Sequence, residues 1–188
     1  MDRTLIRLPG VHNLENYMTA LALTREWVSM DAANAVAREF TGVRHRLELV
    51  RTVAGVTYYN SSIDSSPTRT QAALSALDPI RPIVICGGAD KNFSFAPLAQ
   101  ALCRHAKAVI LTGETAPKIR AALDGCEPVR TGALPVLHHS DFRGAVELAR
   151  ATAKAGDTVL LSPSCTSFDA FKNFEERGDL FCSIVREF

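Results

Sequence analysis

The stretch that decides the fold is residues 160–181, LLSPSCTSFDAFKNFEERGDLF. An apolar run, residues 158–161, leads into it, and six residues rich in small hydroxyl side chains follow at 162–167. Phenylalanines then recur at helical spacings among charged residues, which is typical of an amphipathic helix. We therefore predict a buried strand, a polar loop and a last helix over residues 169–187.

The same alternation of apolar strands and helices extends back to residue 47. Residues 47–53 and 56–59, with Ala54-Gly55 between them, predict a β-hairpin or one bent strand. Further strands are predicted at residues 82–86, 108–112, 136–138 and 158–161, and helices at 68–77, 96–105, 116–123, 142–154 and 169–187. Continuous apolar strands between helices indicate an α/β fold, a Rossmann-like, mostly parallel sheet with helices on both faces.

The first 43 residues form a separate, helical part in this prediction. Apolar residues at helical spacing predict a helix around residues 14–22, and a second is expected over residues 31–40 with Asp31 as its N-cap. The apolar stripe of the second helix would be Ala32, Val36 and Phe40. The segment is too short for its own core. We therefore divide the chain into residues 1–43 and 44–188.

Composition excludes several classes of protein. The chain has 188 residues and a net charge of +1, which gives no reason to expect nucleic acid or an acidic membrane surface as a partner. It has no apolar run near the roughly 20 residues that span a bilayer and no apolar signal-peptide core near its start. Five cysteines without paired or zinc-like spacing indicate reduced thiols, with Cys86 in the core and no evident base to activate Cys165. We expect a cytoplasmic monomer.

Four polar or glycine-rich loops follow predicted strands and can meet at one edge of the sheet. They are residues 60–68, 87–92, 113–114 and 162–167. The hydroxyl-rich last loop can bind a carboxylate or phosphate, or be a capped helix start with no ligand. Gly87-Gly88 and Lys91 suit an anion equally, although a tight turn with a solvated lysine is the other interpretation.

Residues 162–181 closely resemble the C-terminal signature of the Mur ligase family, in its D-glutamate-adding branch. Further matches run from Gly10 to the C-terminus, including G-V-H-N-L-E-N at residues 10–16 and His45-Arg46. The resemblance implies an ATP-dependent, ADP-forming ligase that adds D-glutamate to UDP-N-acetylmuramoyl-L-alanine in peptidoglycan biosynthesis. It also implies that residues 1–43 are the tail of a central ATPase domain and residues 44–188 a C-terminal domain.

The resemblance implies two sets of binding residues. Lys91, Ser167 and Phe168 match residues that contact the side-chain carboxylate of D-glutamate, and a cation with neutral donors suits that group. Phe174 matches another residue of that pocket, and Ser65 keeps a hydroxyl where the family usually has threonine. The nucleotide-binding positions are Asn13, Asn16, His45, Arg46 and Ser61. The alternatives without a bound ligand are a polar linker at His45-Arg46 and a helix start capped by Asn13 or His12.

Two features depart from the family pattern. Ser61 and Ile63 stand where an aspartate and a lysine are usual, which weakens one nucleotide contact and one ligand contact. The sequence also has no G-K-[ST] phosphate loop, so ATP and Mg²⁺ would be bound mainly by a missing central domain and the chain would be inactive alone. Two alternatives stay open, namely another Mur or folylpolyglutamate synthase-like ligase, and a Rossmann-like binding module without catalysis.

Overall fold

The computed structural model describes residues 3–8 and 10–188, with the backbone alone at His12. The chain divides into two compact units, Met1–Val43 and Arg44–Phe188. Within the described ranges, no helix combines the length and the apolar character needed to cross a membrane.

The first unit is helical, as predicted, and its described residues include no strand. A 3-10 helix at Arg3–Leu5 precedes α1 (Val11–Thr24) and α2 (Met30–Glu39). Gly10 occupies the N-cap position of α1, and Asn13 lies in the first turn of that helix. The alternative of a cap at His12 depends on a side chain outside the described residues.

The predicted details of α2 were wrong. Ser29 is the N-cap and accepts a hydrogen bond from the Ala32 N–H at 3.2 Å, whereas Asp31 lies inside the first turn. There its negative charge still favours the helix N-terminus. The helix buries Ala33 and Ala37, while Val36 and Phe40 are 54% and 41% exposed. Small residues let this face pack closely, so the bulky side chains of the predicted stripe remain outside.

The second unit alternates strands and helices. The strands are β1 (Glu48–Val53), β2 (Val56–Asn60), β3 (Ile83–Cys86), β4 (Ala108–Leu111), β5 (Val136–His138) and β6 (Thr158–Leu161). The helices are α3 (Pro67–Ala76), α4 (Ala96–His105), α5 (Ala116–Asp124), α6 (Glu127–Arg130), α7 (Phe142–Thr152) and α8 (Phe174–Glu187). Apart from the short α6, each was predicted within a few residues, except the start of α8.

The strands form one sheet in the order β1-β2-β6-β3-β4-β5. The pair β1–β2 is antiparallel and the other neighbours are parallel, which confirms the mostly parallel α/β fold. The β1–β2 connection is a hairpin, because Ala54 and Gly55 both have positive φ, 50° and 77°, as a tight two-residue turn requires.

The central strands are buried on both faces. In β3, Val84 and Cys86 pack with α3, α4 and α5, whereas Ile83 and Ile85 pack on the other face with α7 and α8. Alternate side chains of a strand point to opposite faces, so a continuous apolar strand serves two cores. Because helices cover both faces of these strands, the parts of the sheet available to a ligand are the carboxyl ends of the strands and the loops that follow them.

The last helix begins five residues later than predicted. Asn173 is its N-cap and accepts a hydrogen bond from the Glu176 N–H at 2.8 Å. The segment before it turns back instead, because the Ser167 carbonyl accepts from the Ala170 and Phe171 N–H groups at 3.1 and 2.8 Å. This extra turn lies beside the ends of β3 and β6.

Candidate functional site

The loops after β3 and β6 are joined at the carboxyl edge of the sheet. The Ala89 N–H donates to the Thr166 carbonyl at 2.9 Å, and the two residues form an isolated antiparallel bridge. Ala89 is two residues from Lys91, and Thr166 precedes Ser167. The structure thus brings the two predicted carboxylate-binding loops together.

Gly87 and Gly88 permit this close approach. Their φ values are 124° and 150°, in the region that favours glycine. A Cβ on Gly87 would lie 1.7 Å from the Thr112 carbonyl oxygen, and one on Gly88 would lie 2.2 Å from that of Thr166. The backbone after β3 therefore packs directly against the loops after β4 and β6.

Arg177 of α8 ties three parts of the site together. Its guanidinium donates to the hydroxyl and carbonyl of Ser62 at 3.0 and 2.9 Å, and to the Thr166 and Cys165 carbonyls at 3.1 and 3.2 Å. The residue is 2% exposed. Burial lowers the pKa of the guanidinium to about 10, with Asp169 the main opposing influence, so it is cationic at neutral pH.

A buried polar cluster links the loops after β2 and β6. Ser162 Oγ lies 2.8 Å from Asp64 Oδ2 and 2.8 Å from Thr70 Oγ1, and Ser164 Oγ lies 2.7 Å from Thr70 Oγ1. All four residues are buried. Ser164 also has a positive φ of 62°, which is uncommon outside glycine.

The five residues predicted to bind D-glutamate lie on these loops in different environments. Lys91 is exposed and has no ion pair among the described residues. Ser167 is 2% exposed, yet its hydroxyl has no hydrogen-bond partner in the described part of the chain, while Phe168 is 67% exposed. Phe174 and Ser65 are half-buried. Their predicted roles stay predictions.

The residues predicted to bind nucleotide are divided between the two units. Asn13 and Asn16 lie in α1 of the first unit. In the second unit, Arg46 is exposed, whereas the His45 ring is buried beside Phe174 and its Nδ1 lies 3.0 Å from the Asn60 amide nitrogen. Ser61 is also buried, and its hydroxyl accepts from the Leu47 N–H at 3.2 Å. Arg46 is therefore the most accessible candidate of the second unit.

The Cys165 thiol is not activated as a nucleophile. Burial raises its pKa to about 11, although a contact with Thr115 Oγ1 at 3.1 Å lowers it in part. Cys165 is thus a protonated core thiol at neutral pH. The described residues bring no three His, Cys, Asp or Glu side chains together as metal ligands.

A cavity of about 190 Å³ adjoins the joined loops. Its walls include Gly88, Gly113, Asp169 and Arg177, with Phe142 and Phe171 stacked edge to face at 5.2 Å between ring centroids. The cavity and the Lys91 loop lie at one edge of the sheet, where ligands of open α/β folds bind.

Sequence reasoning missed Arg177, although a signal for it exists. Arg177 falls three residues after Phe174, four before Phe181 and seven before Ile184, on the buried stripe of α8. A cation on such a stripe needs several acceptors, so its position indicated a buried hydrogen-bonded guanidinium.

Comparison with known proteins identifies the family. The family model described as "Mur ligase, glutamate ligase domain" matches residues 45–165. The chain belongs to the Mur ligase family. It resembles the UDP-N-acetylmuramoylalanine–D-glutamate ligases of Symbiobacterium thermophilum, with 47% identity over 183 residues, and Clostridium tetani, with 44% identity over 182. Each match covers 96% of this chain, which spans only 39% of the length of these curated relatives.

Solved structures agree on the fold. The UDP-N-acetylmuramate–alanine ligase of Thermotoga maritima superposes with a TM-score of 0.71 at 13% identity, covering 97% of this chain and 39% of that one. A Mycobacterium tuberculosis folylpolyglutamate synthase complexed with ADP gives 0.68 at 18% identity, covering 94% and 41%. At such identities the likeness shows the Mur ligase C-terminal fold and no more.

Proposed function

We propose that this chain supplies the D-glutamate-binding part of an ATP-dependent ligase that adds D-glutamate to UDP-N-acetylmuramoyl-L-alanine in peptidoglycan synthesis. The observation that carries the proposal is the Ala89–Thr166 bridge, which holds the loops of Lys91 and Ser167 side by side. Relatives of 42–47% identity that bear this activity in their names support the choice of acceptor.

The chemistry of the joined loops suits the side-chain carboxylate of glutamate. Lys91 offers a mobile cation, and the Ser167 hydroxyl offers a neutral donor without a competing protein partner in the described ranges. The Ser167 carbonyl is already bonded to Ala170 and Phe171, so the backbone that carries the hydroxyl is fixed. Charge-assisted hydrogen bonds from such a pair favour a carboxylate over a neutral group.

Other parts of the proposal concern the complete ligase. It would transfer the γ-phosphoryl group of ATP to the substrate carboxylate to give an acyl phosphate and ADP, with Mg²⁺ as the metal ion. The amine of D-glutamate would then attack the acyl carbon, form the amide bond, lose a proton and expel inorganic phosphate. Residues 1–43 would belong to the central ATPase domain, with Asn13 and Asn16 near adenine and Arg46 and His45 near the hinge. ATP, Mg²⁺ and UDP-N-acetylmuramoyl-L-alanine would be held mainly by parts beyond this chain, in a cytoplasmic, monomeric enzyme.

The test is acceptor-dependent ADP release by the complete ligase. With ATP, Mg²⁺ and UDP-N-acetylmuramoyl-L-alanine, we expect ADP release to need D-glutamate and to be negligible with L-glutamate, diaminopimelate or a folate acceptor. Preference for a folate or another amino acid would support the related ligases instead. Absence of turnover with every acceptor, despite bound D-glutamate, would favour a binding module.

A further inference from the structure

The cluster at the ends of β2 and β6 contains a buried acid, Asp64, that is 6% exposed. Three arginine side chains and one cysteine thiol interact electrostatically with its carboxyl group. They are Arg46, Arg69, Arg177 and the Cys86 thiol. Within the described ranges none forms an ion pair with Asp64, whose carboxylate is bonded instead by the hydroxyls of Ser61 and Ser162.

The hydroxyl groups form a chain that leads from the Asp64 carboxyl into the loop after β6. Ser162 Oγ lies within hydrogen-bond distance of both Asp64 Oδ2 and Thr70 Oγ1. The Ser164 hydroxyl donates to Thr70 Oγ1 at 2.7 Å, and the Thr70 hydroxyl donates to the Ser162 carbonyl at 3.4 Å. Each hydroxyl of the chain is therefore bonded within this cluster.

The hydroxyl chain joins the two loops that carry Ser65 and Ser167, whose hydroxyls are predicted to contact D-glutamate. Ser65 follows Asp64 directly, and Ser167 belongs to the same loop as Ser162 and Ser164. Ser164 has left-handed backbone geometry and is fully buried, so its hydrogen bond to Thr70 helps to hold that loop in one conformation.

We propose that Asp64 is a positioning residue for D-glutamate, acting through the hydroxyl chain Ser162, Thr70 and Ser164 on the loops that carry Ser65 and Ser167. This inference rests on the proposed function. A carboxylate has two acceptor oxygens and an amide has one, so Asp64→Asn would lose one of the bonds from Ser61 and Ser162, and the two loops would lose their single arrangement.

The pH dependence of folding stability distinguishes a positioning role of Asp64 from a purely structural one. Burial raises the pKa of the Asp64 carboxyl, while bonds from Ser61 and Ser162 and the charges of Arg69 and Arg46 lower it in part. A carboxyl with a raised pKa stabilises the fold fully below its unfolded pKa and loses that contribution as pH rises through its folded pKa. At neutral pH, Asp64 therefore contributes less to folding stability than it does at low pH, whereas an amide at this position does not titrate.

The decisive experiment compares Asp64→Asn with the parent in the complete ligase. We expect the KM for D-glutamate to rise about three- to tenfold with kcat and the KM for ATP little changed, as for loss of one ordering hydrogen bond. At pH 7.5 the midpoint of thermal unfolding should rise or hold, and its difference from the parent should vanish near pH 4. An unchanged KM, or a midpoint lowered at pH 7.5, would overturn the proposal.

A second variant and a matched control test the hydroxyl chain at another residue, so the conclusion does not depend on Asp64→Asn alone. Thr70→Val interrupts the chain in its middle, so the KM for D-glutamate should rise and the unfolding midpoint should fall by about 2–6 °C. Thr68→Val, at an exposed position of the same helix, should change neither. An equal KM increase in Thr68→Val would contradict a specific role for the hydroxyl chain.

A third measurement separates this inference from the proposed function. Amide hydrogen exchange of residues 162–167 in the 188-residue chain needs no substrate, and Asp64→Asn should speed it at least about threefold. If the parent ligase does not use D-glutamate, the proposed function fails, while faster exchange would still support the ordering of the loop. Unchanged exchange would overturn the role of Asp64 whatever the acceptor.

Discussion

At the scale of residues, the site depends on buried polar side chains that are hydrogen-bonded to several partners. Arg177 bonds to three backbone carbonyls and one hydroxyl from two loops, and Asp64 ends a chain of three hydroxyls. Such groups are costly to bury, and removing either partner leaves the other unsatisfied. The loops that carry Lys91 and Ser167 are held by this network and not by apolar packing alone.

We predict that Arg177→Met lowers the free energy of unfolding by at least about 2 kcal/mol, because buried carbonyls lose their donors. Arg177→Lys should recover only part of this, since an ammonium cannot reach the same acceptors in a fork. Arg186→Met, at an exposed position of the same helix, should change stability by less than about 0.5 kcal/mol. Denaturant titrations of the three variants check this, and equal stability of Arg177→Met and the parent would contradict it.

At the same scale, family resemblance alone assigned Ser167, Phe168 and Phe174 to a D-glutamate site, since a hydroxyl-rich loop alone is equally a helix cap. Lys91 was also suggested by its place after Gly87-Gly88. No sequence motif singled out Asp64, because its hydrogen-bond partner Ser162 is 98 residues away in the chain and no local pattern records such a contact.

At the scale of elements, strands and helices were predictable because apolar periodicity is strong in this chain. Continuous apolar runs at β3, β4 and β6 indicated strands buried on both faces, and the structure confirms them. Helix ends were less predictable: the N-cap of α2 is Ser29 and not the predicted Asp31, and α8 begins after Asn173 and not at the predicted residue 169. One hydrogen bond decides such a boundary, and several nearby residues can make it.

We predict that Gly87→Ala severely destabilises the second unit. Its Cβ would lie 1.7 Å from the Thr112 carbonyl oxygen, so the backbone after β3 or β4 must move. The expected cost is on the order of 3 kcal/mol or more, and it should disrupt the Ala89–Thr166 bridge as well. Gly132→Ala is the matched control, because Gly132 also has a positive φ, 77°, but nothing within 4 Å. It should cost only about 1 kcal/mol, and equal unfolding midpoints for the two variants would exclude a steric role for Gly87.

At the scale of the whole molecule, the second unit has its own two-sided core, and its fold was fully indicated by the alternation of strands and helices. The sequence contains no G-K-[ST] loop, the motif that cradles phosphates in P-loop proteins. Positioning and charge stabilisation of the phosphates account for nearly all catalysis of phosphoryl transfer. Under the proposed function, binding the acceptor and activating the donor would therefore be tasks of different parts of the complete ligase.

We predict that the 188-residue chain alone releases no ADP above background. The assay contains ATP, Mg²⁺, UDP-N-acetylmuramoyl-L-alanine and D-glutamate, with the complete ligase as the positive control. Turnover by the chain alone would contradict this prediction, because it would require a phosphate-binding site that does not use a G-K-[ST] motif.

The central claim is that the joined loops after β3 and β6 bind the acceptor carboxylate. It is tested most directly by the KM for D-glutamate of Lys91→Ala in the complete ligase. Loss of a charge-assisted hydrogen bond, worth roughly 1.5–3 kcal/mol, should raise this KM about ten- to a hundredfold. Lys107→Ala, which removes a lysine next to the opposite end of β4, should leave it unchanged. A KM for D-glutamate within twofold of the parent in Lys91→Ala, or an equal rise in Lys107→Ala, would contradict the account.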